Sequence, residues 1–163
     1  MTEDKRNENK AVSEVKVFSI PFYPKEIKDN ITINTKSNAQ LSKEEILNQA
    51  FNFYSKGNIL EAAKYYQYFI DKGYIDHGAF CNYGLILHSL GKLKEAELSQ
   101  RKAIELKPDL AEAHTNLGNI LRDLGKLKEA ELSHLKAIEL KPDLAEAHTN
   151  LGSILRDLGK LQE

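Results

Sequence analysis

The 163-residue chain contains one cysteine, one methionine, four prolines and no tryptophan. A single cysteine, Cys81, excludes an internal disulfide and fits a reducing compartment. No apolar stretch approaches the ~20 residues that a membrane-spanning helix needs. The N-terminus, MTEDKRNENK, lacks the apolar segment of a secretory signal, so the glycosylation spacing at Asn30-Ile31-Thr32 reads as chance. An excess of one charge sign is missing as well. The 23 Lys+Arg stand against 24 Asp+Glu, a net charge of −1, which selects neither nucleic acid nor an anionic membrane. A cytoplasmic protein is the expectation from these absences.

What the chain does have is a period. Gly84, Gly118 and Gly152 stand thirty-four residues apart, and residues 125–158 repeat residues 91–124 with only three changes. Gln100 becomes His134, Arg101 becomes Leu135, and Asn119 becomes Ser153. Gly57, Gly91, Gly125 and Gly159 form a second series, and Ala62, Ala96 and Ala130 a third. A fixed period of this length marks a solenoid of stacked supersecondary units. The repeats divide the chain into a polar, extended tail over 1–42 and an array over 43–163. Its units are 43–76, 77–110, 111–144 and a truncated 145–163.

Each unit reads as two amphipathic helices joined by a glycine. Ala113, Leu117, Ile120, Leu121 and Leu124 recur at spacings of three and four, one buried stripe. The second helix, over 128–141, is expected to bury Ala130, Leu132, Ala137, Ile138 and Leu140. Ser42-Lys43-Glu44-Glu45 has the form of a capping box, and Asp109 with Glu112 suggests another. Gly125 ends its helix because glycine takes the left-handed cap conformation without a Cβ penalty. The glycines at 84, 118 and 152 are expected to meet the alanines at 96 and 130 where two helices approach closely. On that phase Gly118→Leu overpacks the contact, whereas Gln100 stands outside it.

With Leu117-Gly118 and Leu121, then Ala130, His134, Ala137 and Pro142, the chain resembles the tetratricopeptide repeat. Phe53 and Tyr66 keep the aromatic preference in the first unit, while Phe80, His114 and His148 replace the tryptophan. The resemblance implies an all-α fold, a right-handed α-solenoid of about three and a half helix pairs. It also implies that the first helix of each pair lines a concave groove. Ahead of the array, residues 15–20 alternate in polarity, and Pro21 and Pro24 form a short P-x-x-P that SH3-type grooves recognise. The plainer expectation is an extended segment covering the exposed end of the first helix pair.

Two residues before each repeat glycine (or Ala50) stands an asparagine: Asn48, Asn82, Asn116 and Asn150. An amide donates and accepts at once, so a ladder of amides suits an extended peptide backbone. Residues 113–119 look like the repeats of the O-linked N-acetylglucosamine transferase, where such asparagines bind substrate peptides. Four residues after the glycines come His88, Arg122 and Arg156, sharing that face with Thr115, Thr149, Glu112 and Glu146. Arginine can clamp a carboxylate, although Asp123 and Asp157 stand beside it. Chaperone-binding members of the family clamp a C-terminal carboxylate with lysines where this chain has Leu47 and Glu112.

Catalysis has little support. Cys81 and His88 are two helical turns apart, ~10 Å, beyond the reach of a nucleophile and its base. His114 and His148 occupy a packing position. No metal, cofactor or enzymatic activity is therefore expected. The expected function is a protein-interaction scaffold whose partner is another protein or peptide, with no nucleic acid and no membrane. An alternative is the substrate-recruiting part of a glycosyl-, sulfo- or methyltransferase whose catalytic domain is missing from this chain. Weak self-association through the truncated C-terminal end, with Ile154, Leu155 and Leu161 exposed, is a further expectation.

Overall fold

Glycine and proline set the boundaries of seven helices in the computed structural model, which describes residues 41–159. They are α1 (Lys43–Ser55), α2 (Ile59–Asp71), α3 (His77–Ser89), α4 (Leu93–Leu106), α5 (Ala111–Asp123), α6 (Leu127–Leu140) and α7 (Ala145–Asp157). The expectations for residues 15–24 and for Leu161 fall outside the described residues. Gly57, Gly73, Gly91, Gly125 and Gly159 carry every positive φ among the described residues, between 66° and 76°. Each stands just past a helix end, where a side chain would be strained. After α4 and α6 no glycine is present. Lys107 and Lys141 turn extended instead (φ −143°, ψ 88°), because each precedes a proline that disfavours helical backbone before it.

Helix starts follow the side chains available. Ser42 caps α1 reciprocally: its hydroxyl accepts from the Glu45 amide at 3.2 Å and its own amide donates to Glu45 Oε2 at 2.8 Å. Asp76 caps α3 through the Ala79 amide at 2.9 Å. The second expected box is absent. Leu110 and Leu144 occupy the caps of α5 and α7 with no side-chain bond, so Asp109 lies one residue too early. The loop is tied differently there: the Nε2–H of His114 and of His148 donates to the carbonyls of Pro108 and Pro142, at 3.0 and 2.8 Å. These histidines at the tryptophan position are only half-buried and exposed, and they act by hydrogen bonding.

Helices pair as α1–α2, α3–α4 and α5–α6, and each second helix also packs on the first helix of the next pair. Contacts of α5 with α3 and α7 place these three first helices in one layer. The result is an α-solenoid whose core changes character along the stack. Tyr66, Phe69 and Tyr83 are buried with Ile46 and Ile86 at one end. Leu117, Leu121, Ala130 and Ile154 are buried at the other, where no phenylalanine, tyrosine or tryptophan follows Tyr83 in the sequence. The expectation that Ile154 is exposed does not hold, because it packs into this cluster.

The closest approach within a pair differs from the sequence expectation. A Cβ built on Gly84 would lie 2.6 Å from Gln100 Nε2, and one on Gly118 would lie 2.5 Å from His134 Nε2. The glycines therefore admit the residue four beyond the alanine, one helical turn along the same stripe. Gln100 is fully buried, and its Nε2 donates to the Cys81 carbonyl at 2.8 Å. It stands inside the helix contact, not outside it. Leu132 also departs from expectation: it is 66% exposed, because it lies on the outer side of α6.

Candidate binding wall

Six positions on each first helix, spaced three or one residue apart, form a stripe on one side. On α5 these are Glu112, Thr115, Asn116, Asn119, Arg122 and Asp123. The thirty-four-residue register carries the stripe to α7 as Glu146, Thr149, Asn150, Ser153, Arg156 and Asp157. It reaches α3 as Gly78, Cys81, Asn82, Leu85, His88 and Ser89, and α1 as Glu44, Leu47, Asn48, Phe51, Tyr54 and Ser55. Contacts between neighbouring stripes join those of α3, α5 and α7 into a wall, which the register extends to α1. His88 Nε2 and Asp123 Oδ2 lie 2.7 Å apart, and Asn119 Nδ2 donates to Glu146 Oε1 at 3.2 Å.

The asparagines occupy this wall unequally. Asn48 is exposed. Asn82 donates to the Tyr66 hydroxyl at 3.1 Å, Asn116 to Cys81 Sγ at 3.6 Å, and Asn150 to Asn119 Oδ1 at 2.7 Å. Three of the four amides thus use a nitrogen to join neighbouring units, so part of the ladder's donor capacity is spent within the fold. The Oδ1 atoms of these three take no hydrogen bond from the described residues. Thr115 is buried and bonds back to the Ala111 carbonyl at 3.1 Å, so it offers no surface to a partner. Its counterpart Thr149 is exposed.

Charge on the wall is mixed. Asp123 accepts from both His88 and Arg122, the latter at 3.5 Å. Arg156 is exposed. Cys81 is buried, and that burial pushes its thiol up, away from the thiolate a nucleophile needs. No group of three metal-ligating side chains occurs among the described residues. No described helix is long and apolar enough to cross a membrane.

A second concavity of about 420 Å³ lies on the opposite side of the stack, lined by Ile104, Leu117 and Leu132 with Arg101 and Lys136. Its cations are already engaged. Arg101 pairs with Glu97 and Glu129 at 2.8 and 2.9 Å, and Lys136 with Glu139 at 2.7 Å. Exposed pairs of this kind add little stability, but they leave no uncommitted charge facing the hollow.

Solved structures share this architecture. The first tetratricopeptide domain of Spaghetti (RPAP3) bound to the HSP90 peptide SRMEEVD is 23% identical, with a TM-score of 0.69 over 72% of this chain and 93% of that one. The second such domain of human RPAP3, in complex with the HSP70 peptide SGPTIEEVD, is 24% identical, with a TM-score of 0.63 over 69% and 98%. YrrB, described as having an unusual peptide-binding site, is 22% identical, with a TM-score of 0.69 over 74% and 62%. At such identities the likeness carries the fold alone. No curated protein matches the chain. The family model described as TPR repeat matches residues 84–121 and 118–159, from within α3 to the end of α7, and this stretch of the chain is an array of tetratricopeptide repeats.

Proposed function

We propose that the chain is a protein-interaction scaffold that holds an extended peptide or a partner helix along the wall of α1, α3, α5 and α7. One observation carries the reading: amide oxygens recur there once per repeat, and those of Asn82, Asn116 and Asn150 take no bond from the described residues. Amide oxygens at a regular spacing suit peptide N–H groups, which recur regularly in any sequence. Support also comes from the structural neighbours, two of which are named as complexes with short peptides. The same ladder underlies the second reading, an array that recruits substrates for a transferase domain elsewhere. Weak self-association through the half-covered face of α7 belongs to this proposal too, and a sedimentation mass independent of concentration would remove it.

The test is a random peptide library displayed on phage and selected on the purified chain. Selected peptides should bind Asn116→Ala/Asn150→Ala at least tenfold more weakly, while a variant of the outer hollow, Leu132→Ser, binds them as the parent does. Equal affinity for parent and wall variant would remove the reading.

A further inference from the structure

The wall is divided in a way that the repeat register makes visible. Its α1 and α3 end presents Leu47, Phe51, Tyr54 and Leu85, with Phe51 61% exposed. An exposed phenylalanine beside further apolar side chains is the kind of surface that marks an anchor pocket for a partner. The α5 and α7 end presents no apolar side chain on the stripe. It carries Glu112, Asp123, Glu146 and Asp157 against Arg122 and Arg156. Glu44 on α1 brings the wall to five carboxylates and two guanidiniums. The local pairings do not reverse this balance. Arg122 turns onto Asp123, and Lys141 approaches Glu112 from outside the stripe only to 3.9 Å. Glu146 accepts a neutral amide from Asn119, which brings no opposite charge to it.

We infer that the partner is a basic segment with an apolar anchor, its lysines or arginines lying along α5 and α7 and a leucine or phenylalanine seated at Phe51, which Leu47 and Tyr54 flank at helical spacing on α1. The inference rests on the wall being the binding face. Charge complementarity acts on association and specificity even where it adds little net affinity. An acidic peptide such as the SRMEEVD of the structural neighbour brings like charge to this wall and is disfavoured. The selectivity therefore runs opposite to that implied by the acidic peptides of those two neighbouring complexes.

The experiment is fluorescence anisotropy of the full chain with three labelled peptides: GKLKFKAKG, its charge-reversed form GELEFEAEG, and SRMEEVD. The basic peptide should bind at least tenfold more tightly than either acidic one. Raising the salt from 50 to 500 mM should erase most of the difference, since screening shortens the reach of exposed charges. Glu112→Lys/Glu146→Lys should bring the two designed peptides within threefold of each other. Phe51→Ser should weaken both alike, and the outer variant Leu132→Ser should change neither. Two outcomes overturn the inference and leave the wall standing. One is equal binding of the designed peptides, both sensitive to Phe51→Ser; the other is tighter binding of an acidic one with that same sensitivity. A basic preference unmoved by Phe51→Ser and by the glutamate reversals places the binding off the wall and overturns both readings. Circular dichroism of each variant checks that the helices are intact.

Discussion

Helices α5 and α7 have the same sequence except that Asn119 becomes Ser153, yet their environments differ sharply. α5 buries Ala111, Ala113, Thr115, Leu117, Gly118, Ile120 and Leu121, whereas α7 buries Ala147 and Ile154. A Cβ on Gly118 would meet the His134 ring at 2.5 Å, and one on Gly152 would meet nothing within 4 Å. Local structure is unaffected, for both helices run thirteen residues and end in the same left-handed glycine. What an identical residue contributes is thus decided by the neighbouring unit, as expected where stability is nearly a sum of unit and interface terms.

Substitution at the two glycines breaks this comparison most strongly. Gly118→Leu should lower stability by about 3 kcal/mol, the upper part of the usual overpacking range, because the aromatic ring against it is stiff. Gly152→Ala has the opposite sign. It relieves a mid-helix glycine with open space around it and should raise stability by up to ~1 kcal/mol. Thermal or denaturant melts read both. Equal destabilisation at the two sites would mean that the open side of α7 is occupied after all.

Acid should next distinguish the pairs α3–α4 and α5–α6. Gln100 satisfies its amide nitrogen on Cys81, but His134 is fully buried with neither ring nitrogen hydrogen-bonded. Burial, with a smaller contribution from the Arg122 guanidinium, pushes the His134 pKa from 6.5 down to about 4. A base whose folded pKa is depressed releases a proton on folding. Its stabilising effect is complete above pH 6.5 and is lost as pH falls towards 4. The loss should reach about 2 kcal/mol at pH 5. His134→Gln, which can donate to the Thr115 carbonyl as Gln100 does to Cys81, should flatten that part of the profile. Parallel profiles for parent and variant between pH 7 and 5 would show that the imidazole is not the titrating group.

The asparagines provide the smallest contrast. Asn82→Ala removes the bond to Tyr66 and should cost ~0.5–1.5 kcal/mol, whereas Asn48→Ala, at an exposed site without a partner among the described residues, should cost almost nothing. A stability loss at Asn48 matching that at Asn82 would contradict the assigned inter-unit role.

Helix boundaries and glycine caps were legible in the sequence because they are local and repeat every unit. The fully buried Gln100 and His134 were not. Ala96 and Gln100 lie one turn apart on the same stripe, and periodicity cannot say which of two such residues reaches the facing glycine. Small size favoured the alanine; the open space above the glycine in fact takes a larger side chain. The missing Asp109 cap has a similar origin, since Pro108 fixes the loop so that the cap falls on Leu110. The wall itself was legible as a series of asparagines, but its lateral bonds were not. Asn82 with Tyr66 and Asn150 with Asn119 depend on how far each unit is offset from the last, which no residue spacing states. The divided character of the wall, apolar at Phe51 and Leu85 and acidic at Glu112 and Glu146, emerged only once the register placed these residues on common stripes.

The most direct test of a binding wall on the first helices is an amide NMR titration of the labelled chain with GKLKFKAKG. Shift changes should concentrate at Phe51, Leu85, Asn119 and Ser153, one equivalent position on each of α1, α3, α5 and α7. Changes concentrated instead at Leu132, Ser133 and Lys136 would place the ligand in the outer hollow and contradict the account.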